Sequence, residues 1–125
     1  MKNWTLVGVL AVVGCGPLVS TQVETNGPTP SSQVSIAIQD YKYMPDVIHA
    51  SRGETLQLSI KDQGQMEHGI VFDFPAGAVA VPSHVRPGES TTYSLRVPDQ
   101  PGTYYFHCPV GNHYARGMEG ELIVQ

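Results

Sequence analysis

The chain has 125 residues and a formal net charge of −4, a length that suits one domain. Hydrophobic residues make up 41% of the sequence and charged residues 14%, a balance that permits a packed core and argues against disorder over most of the chain. The sequence contains no run of Lys or Arg. Because binding to nucleic-acid phosphates requires clustered cations, nucleic acid is excluded as a partner.

The first residues have the features of an export signal. Lys2 precedes a mostly apolar stretch from Trp4 to Gly14, which is too short to span a bilayer but typical of a signal peptide over residues 1–14. The sequence around Cys15 resembles the lipobox of bacterial lipoproteins, with Val12 in the place of the usual Leu. This resemblance implies a lipid on Cys15 and a membrane-anchored protein. The alternative is an ordinary secretory signal, and both versions place the domain outside the cytoplasm, in a periplasm or at the cell surface.

Residues 15–33 are predicted to form a lipidated Cys followed by a flexible linker. The segment is rich in Ser, Thr, Pro and Gly and shows no sustained periodicity, which is typical of linkers. A flexible chain of this length reaches roughly 20–25 Å on average. The folded domain is therefore predicted over residues 34–125.

Short strands account for most of that domain. Alternation of apolar and polar residues, or clustering of β-branched and aromatic residues, predicts strands in several segments. They are Val34–Ile38, Val47–Ile48, Thr55–Ile60, Ile70–Phe72, Thr91–Val97, Thr103–Cys108 and Glu121–Val124. Tyr41–Pro45 is expected to bend the chain, and Pro75–Pro87 to be irregular. The pattern predicts an all-β, single-domain Greek-key sandwich or barrel.

One loop near the end of the chain combines three residue types that bind soft metals. Cys108, His113 and Met118 follow one another at intervals of five residues, and His68 lies forty residues before Cys108. A trigonal site of two His and one Cys with a weak axial Met is the ligand set of a blue-copper electron-transfer centre. Thiolate and thioether favour Cu(I), while imidazole accepts either oxidation state. A core Met and a buried inert Cys are the alternatives to this interpretation.

Three segments resemble the cupredoxins. They are Glu67–Asp73, Gly102–Cys108 and the Cys-x4-His-x4-Met loop, whose spacing is similar to that of auracyanin and rusticyanin. The resemblance covers roughly residues 34–125. It implies one type 1 copper ion with His68, Cys108 and His113 as equatorial ligands and Met118 as the axial ligand. It also implies a monomeric electron carrier, not an enzyme.

The resemblance further implies a redox partner such as a cytochrome or a terminal oxidase, docking near His113. The sequence departs from plastocyanin and azurin at Gly69, where those proteins have Asn. The pair His107-Cys108 is shared with multicopper oxidases and nitrite reductases, in which the His binds a second copper centre. A copper-binding or delivery protein of the same fold is the alternative function.

Overall fold

The computed structural model describes residues 32–125, and the predicted signal peptide, Cys15 and nearly all of the predicted linker lie outside them. The described chain forms nine strands and one short 3-10 helix. The strands are β1 (Gln33–Gln39), β2 (Lys42–Met44), β3 (Val47–Ala50), β4 (Thr55–Asp62), β5 (Val71–Phe74), β6 (Gly77–Ala80), β7 (Ser90–Arg96), β8 (Gly102–His107) and β9 (Glu119–Val124). The 3-10 helix is Tyr114–Arg116.

The strands form two mixed sheets. One has the order β2-β1-β4-β7 and the other the order β3-β9-β8-β5-β6. In the first sheet β1 and β4 run parallel, and in the second β3 and β9 run parallel. All other strand pairs in the two sheets are antiparallel. The prediction of an all-β sandwich is confirmed.

The core lies between the inner faces of the two sheets. In β4, Leu56, Leu58 and Ile60 are buried and alternate with more exposed neighbours, as the period of two in the sequence predicts. The second sheet supplies Phe72, Phe106, Leu122 and others to the same core. Burial of each such side chain contributes about 1.5–3 kcal/mol, so the alternation fixes which face of each strand turns inward.

Two short strands lie where the sequence predicts none. Tyr41–Pro45, predicted as a bend, contains β2, and Pro75–Pro87, predicted as irregular, contains β6. Each is the last strand at one edge of its sheet, and all four residues of β6 are exposed. A strand without a buried face, such as β6, has no apolar alternation because nothing selects for it. β2 does bury Tyr43, but its three residues are too few to show a period.

No helix among residues 32–125 is long and apolar enough to cross a membrane.

Candidate metal centre

Two loops at one end of the sandwich carry the predicted ligand residues, one between β4 and β5 and the other between β8 and β9. His68 lies between β4 and β5, where its backbone pairs with Val85: the His68 N–H donates to the Val85 carbonyl at 3.0 Å, and the Val85 N–H donates back at 2.7 Å. Cys108 directly follows β8, and His113 directly precedes the 3-10 helix. The sheet thus brings together residues that are far apart in the sequence.

The side chains of His68, Cys108 and His113 form a compact donor cluster. His68 Nδ1 lies 3.1 Å from His113 Nδ1, and Cys108 Sγ lies 3.5 Å from the same His113 nitrogen. Their donor atoms all lie within 4.8 Å of one another. Only 0%, 1% and 7% of the surfaces of His68, Cys108 and His113 are exposed, so the cluster is nearly closed to solvent.

The loop between β8 and β9 is folded tightly around this cluster. The Cys108 N–H donates to the Met118 carbonyl, and the Met118 N–H donates to the His113 carbonyl, each at 3.1 Å. The His113 N–H donates to the Val110 carbonyl at the same distance. The side chain of Met118 is fully buried. Backbone hydrogen bonds therefore hold all three loop residues in fixed relative positions.

The donor cluster fits a metal ion. Nitrogen and sulfur ligands bound to one ion at about 2.0–2.3 Å lie about 3–4 Å from one another, and the nitrogen–nitrogen distance of 3.1 Å and the sulfur–nitrogen distance of 3.5 Å fall in that range. Burial lowers the pKa of His113, and the neighbouring His68 lowers it further. A neutral imidazole is the form that binds a metal. The combination of two imidazoles and one thiol suits copper.

A turn that the sequence analysis does not single out contacts both histidines. Asp40 and Tyr41 form the connection between β1 and β2. Asp40 Oδ1 lies 2.9 Å from His68 Nε2, and the ring of Tyr41 meets the ring of His113 edge-on at 5.2 Å. The hydrogen bond with His68 holds the pKa of Asp40 below its usual range. No local pattern marks these residues, because the contacts exist only after the two sheets have assembled.

Gly69 directly follows His68, and the structure explains why this residue is small. A Cβ atom at Gly69 would overlap the backbone carbonyl of Ser83. The Gly69 carbonyl accepts a hydrogen bond of 2.6 Å from the buried hydroxyl of Tyr43. Burial raises the pKa of Tyr43, and the nearby Cys108 adds to this effect. Tyr43 thus ties β2 to the segment that carries His68.

His107 points away from the donor cluster. The side chain of His107 is 24% exposed, whereas its neighbours Phe106 and Cys108 are buried. Its Nδ1 lies 2.8 Å from Asp73 Oδ2, and its ring lies 4.8 Å from the ring of Tyr114. These contacts place His107 on the outer face of the second sheet.

Comparison with known proteins gives one family match over nearly the whole chain. The model of the cupredoxin-like domain matches residues 9–124. A plastocyanin from Dryopteris crassirhizoma is 32% identical over 103 residues, and the match covers 74% of this chain and 97% of the plastocyanin. A copper-containing nitrite reductase from Neisseria meningitidis serogroup B is 27% identical over 118 residues, covering 86% of this chain but only 30% of the reductase.

Solved structures with the same fold include two auracyanins. The auracyanin of Roseiflexus castenholzii has a TM-score of 0.63 and 25% identity, and the match covers 76% of this chain and 98% of that one. Auracyanin B has a TM-score of 0.68 and 22% identity, with coverage of 78% and 91%. The likeness to auracyanin B concerns the fold alone.

Proposed function

Because the chain belongs to the cupredoxin-like family, we propose that it carries single electrons through one copper ion. The observation that carries this proposal is the donor cluster: two imidazole nitrogens and one thiol sulfur lie within 4.8 Å of one another inside the protein. His68, Cys108 and His113 would hold the ion, as the sequence analysis expects. Relatives that match over most of their length include the plastocyanin and the auracyanins.

Copper bound at this position supplies a one-electron Cu(I)/Cu(II) couple. The chain's contribution is rigidity. His68 is paired through its backbone with Val85, and Cys108 is tied through its N–H to the Met118 carbonyl. Ligands fixed in this way change little in position when the charge at the site changes by one, and a small rearrangement favours fast electron exchange.

Met118 is the fourth ligand in this proposal. It is buried, and its backbone hydrogen bonds connect it with both Cys108 and His113. A thioether in this place would supply the weak axial ligand that favours Cu(I). Replacement of Met118 by Leu keeps the packing volume, and we expect it to leave copper bound while changing the reduction potential.

The surface around His113 is the proposed docking site for a redox protein such as a cytochrome or a terminal oxidase. His113 is only 7% exposed, but Tyr114 next to it is 54% exposed, and Pro109 and Ala115 are also exposed. A small apolar surface beside a ligand suits a short electron path and a weakly bound, quickly released partner.

A matched pair of substitutions tests this surface. Tyr114 and Tyr105 are equally exposed, at 54% and 53%, but Tyr105 lies on β8 and outside the ligand loop. We expect Tyr114→Glu to slow electron self-exchange between two copies of the protein, because it places like charges at the contact. Tyr105→Glu adds the same charge elsewhere and should have a much smaller effect. Equal rates for the two variants would contradict docking near His113.

We also propose that the protein is a monomer and has no enzymatic activity. The match to the nitrite reductase covers 30% of that protein, and the match to laccase-1 of Thanatephorus cucumeris covers 17%. Among residues 32–125, a single group of three potential metal ligands of the His, Cys, Asp and Glu types occurs. An electron carrier needs one copper centre, and in this proposal the group would supply its ligands.

Copper delivery is the second candidate function. Delivery favours an exposed site from which the ion exchanges readily, whereas His68 and Cys108 are almost fully buried. An accessory site would have to use Met44, Met66 and His84. Met66 accepts a hydrogen bond of 3.8 Å from the Tyr41 hydroxyl, and His84 lies 2.9 Å from Glu67. Burial of the main site therefore favours electron transfer.

Anchoring by a lipid on Cys15 remains the proposed link to a membrane, with the domain outside the cytoplasm. Its support is the resemblance of the segment around Cys15 to a lipobox. Expression in bacteria fed labelled palmitate should label the protein, and Cys15→Ala should abolish the label. Failure of the unaltered protein to incorporate palmitate would contradict the anchor without affecting the copper site.

A further inference from the structure

The imidazole of His68 is contacted at both of its nitrogens. Nδ1 faces the donor cluster, 3.1 Å from His113 Nδ1. Nε2 faces Asp40, with 2.9 Å between the nitrogen and the carboxylate oxygen Oδ1. Because His68 has no exposed surface, water does not compete for either nitrogen.

The Asp40 contact determines which ring nitrogen carries the proton. An ionised carboxylate only accepts hydrogen bonds, so a neutral His68 must place its hydrogen on Nε2. The lone pair then lies on Nδ1, the nitrogen that faces Cys108 and His113. A carboxylate that accepts from the second nitrogen of a ligand histidine fixes the ring and makes it a stronger donor.

Several features hold Asp40 in this position. Its Oδ1 also accepts hydrogen bonds from the backbone N–H groups of Gln65 at 3.0 Å and Met66 at 3.4 Å. The next residue, Tyr41, has a φ of 64°, a left-handed conformation that is unfavourable for a bulky residue. In this conformation the Tyr41 hydroxyl accepts a hydrogen bond of 2.9 Å from Arg116 Nη1. The turn is therefore held by partners on both sides of the site.

Gly64 leaves the space that this contact requires. A Cβ atom on Gly64 would overlap the Asp40 carboxylate and lie 2.9 Å from His68 Nε2. The φ of Gly64 is not in the left-handed region, so Ala is compatible with its backbone. The hydrogen bond between Asp40 and His68 thus occupies the space that a side chain at Gly64 would need, which explains the glycine.

We propose that Asp40 is a positioning residue of the copper site. Asp40 holds the ring of His68 with Nδ1 free, and the negative charge of Asp40 favours Cu(II) over Cu(I). This inference rests on the proposed function for its effect on copper. The positioning of the ring does not depend on copper and can be measured in the metal-free protein.

The proposal differs from a purely structural role for Asp40. Asp40 also joins the turn between β1 and β2 to the segment that follows β4, through Gln65 and Met66. If that were its only role, its loss would lower stability and leave the reduction potential unchanged. If its charge acts on the site, removal of the charge raises the potential, because the more highly charged Cu(II) loses more stabilisation than Cu(I).

Three substitutions in the full-length protein separate these roles. Asp40→Asn keeps the shape and an acceptor oxygen but removes the charge. Gly64→Ala keeps the charge but displaces the carboxylate from His68. Asp99→Asn is the matched control, because it removes one exposed charge from the loop before β8. The six residues of β8 separate that loop from the site by about 20 Å.

The measurements are the reduction potential of the copper-loaded proteins and the ¹⁵N NMR shifts of His68 in the metal-free ones. Loss of such a supporting contact typically costs about 10- to 100-fold in metal affinity. A 10-fold loss confined to Cu(II) raises the potential by about 59 mV. We expect Asp40→Asn and Gly64→Ala to raise the potential, and Asp99→Asn to match the unaltered protein. We also expect His68 to be protonated on Nε2 without metal, and to become a mixture of tautomers in Gly64→Ala.

Potentials of Asp40→Asn and Gly64→Ala equal to that of Asp99→Asn would overturn the effect on copper. A hydrogen on Nδ1 of His68 in the unaltered metal-free protein would overturn the positioning role. If the unaltered protein bound no copper, the proposed function would fail, while the NMR result would still decide whether Asp40 positions the ring.

Discussion

Gly69 shows how one residue determines the packing beside the donor cluster. Ile70 pairs with the segment that follows β6: its N–H donates to the Pro82 carbonyl, and its carbonyl accepts from the Val81 N–H, each at 2.8 Å. Beside these bonds, the Ser83 carbonyl lies so close to Gly69 that a Cβ atom there would overlap it. The two segments are therefore joined by direct backbone pairing.

Substitution of Gly69 by Ala should therefore destabilise the domain. The new Cβ meets the backbone carbonyl of Ser83, whose neighbours Pro82 and Val85 are held by backbone hydrogen bonds, and overpacking of this kind costs about 1–3 kcal/mol. Urea denaturation measures the change in the free energy of unfolding. Gly88→Asn is a suitable control, since no atom lies within 4 Å of its Cβ position and Asn tolerates the left-handed backbone there. Equal stability of the two variants would contradict the packing argument.

Asp62 gives a prediction about pH. This last residue of β4 is fully buried, and its Oδ1 accepts a hydrogen bond of 2.8 Å from the Gly64 N–H. Its Oδ2 has no hydrogen-bond partner among residues 32–125. Burial raises the pKa of Asp62 above its ordinary value of 3.8. Between the ordinary and the raised pKa the folded state binds more protons than the unfolded state, so stability falls as pH rises through this interval.

Asp62→Asn should remove this loss of stability. The amide oxygen still accepts from Gly64, and no charge is buried at any pH. The measured quantity is the difference in free energy of unfolding between Asp62→Asn and the unaltered metal-free protein, obtained from urea midpoints. We expect this difference to favour Asp62→Asn more at pH 7 than at pH 3.5. The exposed Asp46→Asn serves as the control and should show no such change. If the stability difference between Asp62→Asn and the unaltered protein were the same at both pH values, the buried charge could not be its cause.

At the scale of elements, β8 connects the core with the donor cluster. Phe106 is fully buried and packs against Tyr43 and Phe72, with ring centroids 5.1 and 4.9 Å away. Tyr105 beside it is 53% exposed. Cys108 continues the same alternation and points inward. The register of β8 thus decides that the thiol, and not His107, faces the other ligands.

Adjacent residues of β8 offer a direct test of this alternation. Phe106→Ala leaves a cavity between the sheets and should cost about 3–5 kcal/mol. Tyr105→Ala lies on the outer face and should change the free energy of unfolding by about 0.5 kcal/mol or less. Urea midpoints of the two variants provide the comparison. Similar losses would show that β8 does not have the register described above.

The sequence predicts the longer strands that bury one face, and misses the two short edge strands. The alternation in β4 follows from core packing, whereas β6 is fully exposed and β2 has only three residues, of which Tyr43 alone is buried, too few to form a period. The same reasoning applies to the site. Cys108, His113 and Met118 share one loop and have a recognisable spacing, but Asp40 reaches His68 only through the assembly of the sandwich. Contacts between polar residues that are far apart in the chain produce no periodic pattern in the sequence.

At the scale of the whole molecule, the sandwich forms a rigid support for one closed centre. Two loops at one end carry the donor cluster, while a cleft of about 580 Å³ lies at the other end, lined by Phe74, Tyr104 and others. The donor cluster is enclosed by Tyr41, Tyr43 and the loop from Cys108 to Met118. A closed centre at a domain's surface suits the transfer of electrons to a partner better than the binding of a substrate.

The visible spectrum of the protein loaded with Cu(II) tests this account most directly, with Cys108→Ser as the control. The account predicts an intense blue band from thiolate-to-copper charge transfer, bleached by a mild reductant and absent in the variant. A protein that binds copper but shows no such band would contradict electron transfer at this site and favour delivery. A protein that binds no copper would contradict the assignment of the ligands.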